Sequence, residues 1–161
     1  MAEKTKLVKI LLVEDNPDDI LIIERALKEA KIINQFFIAR DGQDGWDFLK
    51  HQGKYQNSES SPKPGLILLD INLPKLNGLE LLKMIKDDPD FKRIPTVMLT
   101  VSRRDEDIIK GYNHGCNSFI QKPVEFERFV EIVRQIGLYW GIINVESPNN
   151  VNNTDTNNTV A

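Results

Sequence analysis

The chain has 161 residues, 40% of them hydrophobic, which is enough for a single domain with one packed core. Its 21 basic and 24 acidic residues give a formal net charge of −3, so it lacks the basic footprint of a duplex-binding protein and direct DNA binding is not expected. The single cysteine, Cys116, allows neither an internal disulfide nor a cysteine zinc set, and Met1 to Lys6 has no signal-peptide apolar stretch; with no run of membrane-spanning length, no membrane partner and a cytoplasmic location are expected.

Lys9-Ile10-Leu11-Leu12-Val13 is an apolar run of strand length without alternation, as in a strand covered on both faces. Asn16 can cap the helix that follows, Pro17 fits its first turn, and Asp18 and Asp19 suit the positive end of its dipole. Ile20, Ile23, Leu27 and Ala30 recur at helical spacing. Phe36 to Ala39 reads as a second strand, and Asp41-Gly42 precedes a helix carrying Trp46, Phe48 and Leu49. From His51 to Gly65 the chain is polar, a long surface loop. Leu66 to Leu69 is a third strand ending at Asp70, and Asn77 caps a helix whose Gly78, Leu81, Leu82 and Ile85 share a face. Thr96 to Leu99 is the fourth strand, Asp105 to Tyr112 a weak amphipathic helix, and Ser118 to Gln121 the fifth strand.

A final helix begins near Glu125, with Phe126, Phe129, Val133, Ile136, Trp140 and Ile143 at alternating three- and four-residue spacing. Gly137 and Gly141 weaken its continuity, so residues 138–145 are expected as a helix extension or an extended arm, able to bury itself on a second copy of the chain. Residues 7–145 then form one domain with a dimerisation extension, and the Asn- and Thr-rich segment 146–161 is expected to be a disordered tail. Its sequons at Asn152 and Asn157 are chance matches in this setting. Five β runs alternating with five helical patterns predict an α/β fold with a parallel sheet.

In such a sheet, sites form outside the carboxyl ends of the strands. That rule brings Glu14 and Asp15, Asp70, Thr100 and Lys122 to one rim. Crowded carboxylates need a cation, and Mg²⁺ accepts hard oxygen ligands: Asp15 and Asp70 directly, Glu14 through water, and the backbone carbonyl of Asn72. With the metal and Lys122 offsetting charge, a carboxylate can attack phosphorus and form an aspartyl phosphate, while Thr100 donates to a phosphoryl oxygen. Each residue alone reads as an ordinary strand-end group; their joint placement carries the chemistry.

Ile10-Leu11-Leu12-Val13-Glu14-Asp15-Asn16, Leu68-Leu69-Asp70-Ile71-Asn72-Leu73-Pro74 with Asn77-Gly78, Thr96 to Thr100, and Phe119-Ile120-Gln121-Lys122-Pro123 resemble the receiver domain of bacterial two-component response regulators. The resemblance spans roughly Val8 to Gly137. It implies a flavodoxin-like, doubly wound sheet of order 2-1-3-4-5, Asp70 as phosphoacceptor, an acidic Mg²⁺ pocket at Glu14 and Asp15, phosphoryl contacts from Thr100 and Lys122, a cis peptide at Lys122-Pro123, and Thr100 and Phe119 as the switch pair.

The stretch Glu14 to Asp19, the long loop before the third strand, Lys92-Arg93-Ile94-Pro95 and Tyr139-Trp140 further resemble the single-domain regulators paired with cyanobacterial phytochrome histidine kinases. That likeness implies a red-light-sensing kinase partner and a homodimer. Since the polar segment after Val145 carries no output domain, output is expected through a partner protein or onward phosphotransfer. Val101, next to Thr100, is expected to narrow access and slow self-dephosphorylation. The chain is thus expected to be a phosphorelay switch and not an enzyme with an outside substrate. The alternatives are a Mg²⁺-dependent phosphohydrolase, weakened by Asn72 standing where a second carboxylate is needed, and an unphosphorylated dimeric adaptor.

Overall fold

The computed structural model describes residues 8–29, 34–57, 59–101, 104, 115–116, 118–125, 127–132 and 134–135. Five strands, β1 (Val8–Val13), β2 (Asn34–Ala39), β3 (Leu66–Asp70), β4 (Thr96–Thr100) and β5 (Ser118–Gln121), form one sheet in the order β2-β1-β3-β4-β5. Every neighbouring pair is parallel. Parallel neighbours require crossovers, and these carry α1 (Pro17–Glu29), α2 (Gly42–Lys50), a 3-10 turn η1 (Gly53–Tyr55) and α3 (Gly78–Asp87).

The uninterrupted apolar strands make sense because the sheet has a core on each face. Ile10 and Leu12 of β1, Leu66 and Leu68 of β3, and Val97 and Leu99 of β4 pack with Ile20, Ile23 and Leu27 of α1 and with Phe129 and Ile132. The alternate residues Leu11, Val13, Ile67, Leu69 and Met98 pack with Phe48 and Leu49 of α2 and Leu81, Leu82 and Ile85 of α3. Alternation along each strand thus divides the side chains between two apolar layers. Burying one Leu or Ile contributes about 2 kcal/mol, so the central strands β1 and β3 anchor the sheet.

The expected five helices are corrected to four bounded helical elements among the described residues: α1, α2, η1 and α3. The turn η1 falls in the stretch read as a polar loop, where the Tyr55 ring packs edge-on to Phe48 at 5.1 Å and so orders the chain. In the same stretch buried Ser61 donates from its hydroxyl to Tyr55 O (3.4 Å), and its carbonyl lies 2.8 Å from His51 Nε2. The helix expected over 105–112, the arm at 138–145 and the tail at 146–161 lie outside the described residues. The last helix is described only in part, with 127–132 and 134–135 helical. No helix among the described residues is long and apolar enough to cross a membrane.

Candidate functional site

Strand register sets the site. Val13 pairs with Leu69 and Asp70 with Leu99, so Glu14, Asp70 and Thr100 come to the same end of three adjacent strands. Thr100 pairs with Gln121, and the Lys122 amide donates to the Thr100 carbonyl at 2.6 Å, which brings Lys122 to that end from β5. The Lys122-Pro123 peptide is cis.

Local sequence fixes the turns around it. Asn16 caps α1, its Oδ1 accepting from the amides of Asp18 (2.8 Å) and Asp19 (3.1 Å). Asn77 and Glu80 form a reciprocal capping box at the start of α3. Gly78 lies against the strand that ends at Asp70: a Cβ there would stand 2.0 Å from the Asp70 carbonyl oxygen, so only glycine permits this approach. Gly42 does the same for the connecting loop, its position leaving a Cβ only 1.7 Å from the Leu76 carbonyl oxygen.

Oxygens from Glu14, Asp15 and Asp70 lie within 4.8 Å of one another. Glu14 and Asp70 are buried, whereas Asp15 is exposed at the mouth. Lys122 Nζ stands 2.8 Å from Glu14 Oε1, 2.9 Å from Asp19 Oδ2 and 3.1 Å from Asp70 Oδ1. Burial, with the charge of Glu14 behind it, raises the Asp70 carboxyl from its ordinary 3.8 to about 6, although Lys122 opposes the rise. Burial also works against the Lys122 ammonium, yet pairing with Glu14 and Asp19 and the charge of Asp70 outweigh it and hold the lysine above its ordinary value. The ammonium is therefore permanently charged at neutral pH.

Glu14 Oε1 touches Lys122 without hydrogen-bond geometry and is the buried side-chain atom among the described residues that has no hydrogen-bond partner. A buried carboxylate oxygen in that condition, with two more carboxylates in reach, is a donor set suited to a hard divalent cation. The cluster fits Mg²⁺.

The other expected site residues fall into place unevenly. Thr100 is fully buried at the end of β4. Phe119 pairs with Met98 within the sheet and is half-buried against the core under α2 and α3, away from the rim. Asn72 is exposed in the loop after β3. Val101 is 54% exposed beside Thr100. Asp19 is the addition: in the sequence it reads as a favourable charge at a helix start within the Glu14-to-Asp19 stretch and not as a site residue. Its position four residues before buried Ile23 places it on the inward face of α1, and that spacing was the available signal.

The family described as response regulator receiver domain matches residues 10–134. The chain belongs to that family. Response regulator Rcp1 of Synechocystis sp. is 42% identical over 131 residues, covering 81% of this chain and 87% of Rcp1. Among solved structures, the bacteriophytochrome response regulator RtBRR is 39% identical with a TM-score of 0.78, covering 86% of this chain and 83% of its own. The manganese-bound form of Rcp1 is 41% identical with a TM-score of 0.67, covering 83% and 94%. The phosphorylated cyanobacterial phytochrome response regulator RcpA is 39% identical with a TM-score of 0.69, covering 84% and 94%. As a receiver, this chain accepts a phosphoryl group from a histidine kinase at its acidic cluster, and its chemistry is confined to gaining and losing that group.

Proposed function

We propose that Asp70 is the phosphoacceptor, that its donor is a histidine kinase of the phytochrome type, and that the phosphorylated chain signals through a partner protein. The observation that carries the reading is the convergence on Asp70: a buried carboxylate flanked by Glu14 and Asp15 and faced by Lys122 at 3.1 Å. Glu14, Asp15, Asp70 and the Asn72 carbonyl would hold Mg²⁺, a reading supported by the acidic cluster and by the likeness to Rcp1, which has a manganese-bound form. The ion, when bound, screens the carboxylates and neutralises charge on the incoming phosphoryl oxygens.

The chain's own residues supply position and charge. An Asp70 oxygen attacks phosphorus as the bond to the donor's nitrogen breaks, the electron pair leaving with the donor. Lys122 offers its ammonium to the arriving oxygens, and the Thr100 hydroxyl donates to one of them. Movement of Thr100 toward the phosphoryl group frees space behind it, and Phe119 on the neighbouring strand responds, reshaping the surface that a partner reads.

The phytochrome pairing is supported by the likeness to RtBRR, a bacteriophytochrome response regulator, and to RcpA, a cyanobacterial phytochrome response regulator. Radiolabelled phosphotransfer from a phytochrome-type kinase and from an unrelated histidine kinase tests it. Faster transfer from the phytochrome-type kinase, abolished by Asp70→Asn, is expected; equal rates from both would remove the pairing, and label surviving Asp70→Asn would remove the acceptor. The reading includes a homodimer through the C-terminal aromatic stripe. Light scattering should give twice the chain mass for the native protein and one chain mass for Trp140→Glu.

A further inference from the structure

Lys122 has one more carboxylate than the metal cluster accounts for. The oxygens of Glu14, Asp15 and Asp70 form the cluster, and Asp19 is outside it. Yet Asp19 Oδ2 accepts a hydrogen bond from Lys122 Nζ at 2.9 Å, in good geometry, while the closer Glu14 contact lacks that geometry. The Asp19 backbone is fixed in turn by the Asn16 cap, whose Oδ1 accepts from the Asp19 amide at 3.1 Å.

Exposure separates the three partners of the ammonium. The side chain of Glu14 is 0% exposed, that of Asp70 5%, and that of Asp19 24%. A phosphoryl group on Asp70 presents new anionic oxygens, and Lys122 must turn a proton toward them. The bond it can surrender at least cost is the one whose acceptor water can reach. Glu14, out of water, would be left as a buried charge short of its counter-ion, and Asp70 is by then esterified and no longer a carboxylate; Asp19 would simply hydrate.

We infer that Asp19 is a positioning residue: it holds the Lys122 ammonium in the unphosphorylated protein and yields it when Asp70 carries a phosphoryl group, so that it biases the balance between the two states. The inference rests on Asp70 being the phosphoacceptor. Asp19 takes no part in the covalent step, in which an Asp70 oxygen bonds to phosphorus as the donor departs with its electron pair, and no proton passes to or from Asp19. Its effect is competition for a single ammonium.

The test is a cycle of variants titrated calorimetrically with beryllofluoride, a non-covalent mimic of the phosphoryl group, at saturating Mg²⁺. Asp19→Asn keeps the shape and removes the charge, and it should tighten beryllofluoride binding about fivefold, the effect of losing one partly exposed competing ion pair. In a Lys122→Gln background the same change should have no effect, because there is no ammonium to release. Asp19→Glu should return most of the native affinity. Unchanged or weaker binding by Asp19→Asn would overturn the inference, as would an equal gain with and without Lys122, which would assign the effect to bulk charge. If the native protein binds no beryllofluoride and takes no phosphoryl group from acetyl phosphate, the phosphoacceptor reading fails and this inference with it; native binding with an inert Asp19→Asn removes the inference alone.

Discussion

Asp70 is a cost to the metal-free fold, and replacing it by asparagine should make the protein more stable. Burial and the neighbouring Glu14 raise its carboxyl from 3.8 to about 6 in the folded chain. The folded state therefore holds the proton more tightly than the unfolded chain does. The favourable contribution is complete below about pH 4, declines as pH rises, and is gone above about pH 6. A rise of that size corresponds to about 3 kcal/mol between the two ends of the window. Asn resembles the protonated acid, so metal-free Asp70→Asn should match the native protein near pH 4 and exceed it at pH 7 by about 2 kcal/mol once relaxation of the site is allowed for. In a chain of this length, that is roughly 4–8 °C in Tm. Urea or thermal unfolding of both proteins in a chelator, at intervals from pH 4 to pH 7, measures the difference. Added Mg²⁺ should then stabilise the native protein by about 2.7 kcal/mol at a hundredfold excess over its Kd and the variant by much less. A variant less stable than the native protein at pH 7, or a difference that does not change with pH, would refute the reasoning.

Gly78→Ala should destabilise the fold by roughly 2 kcal/mol or more, because the new Cβ would stand 2.0 Å from the Asp70 carbonyl oxygen; urea unfolding reads the loss, and a Mg²⁺ titration should show weaker binding. Asn77→Ala removes one half of the capping box of α3 and should cost about 1 kcal/mol in the same assay, leaving Mg²⁺ affinity nearly native. Val101→Ala opens the exposed flank beside Thr100, and the half-life of the phosphorylated chain in Mg²⁺ should shorten; an unchanged half-life would show that Val101 does not shield the phosphoryl group.

Most of the sheet was legible in the sequence for a simple reason. Strands buried on both faces are short unbroken apolar runs, and Leu66 to Leu69 or Ile10 to Val13 can be little else when an acidic residue, Asp70 or Glu14, follows at once. The site was legible because strand ends carry it: Glu14, Asp70 and Lys122 are each the first charged residue after an apolar run, Asp15 follows Glu14 directly, and register brings the strand ends together. What was missed depended on contacts between distant parts of the chain. The turn at Gly53–Tyr55 exists because Tyr55 reaches Phe48, which no local pattern in a polar stretch announces. Asp19 lies 103 positions from Lys122 and sits on a helix where an acidic first turn is already favourable, so its pairing was hidden behind an ordinary local explanation. The close approaches of Gly42 to the Leu76 carbonyl and of Gly78 to the Asp70 carbonyl were likewise invisible, since a glycine at a helix start has several possible causes.

The most direct measurement is to find the atom that carries the phosphoryl group. The chain is incubated with acetyl phosphate and Mg²⁺, the acyl phosphate is trapped with borohydride, and the peptides are sequenced by tandem mass spectrometry. Reduction of Asp70 to homoserine, with every other carboxylate intact, is the predicted result. Homoserine at Asp15 or Asp19, 5-hydroxynorvaline at Glu14, or no reduced residue in a protein that binds Mg²⁺, would contradict the account.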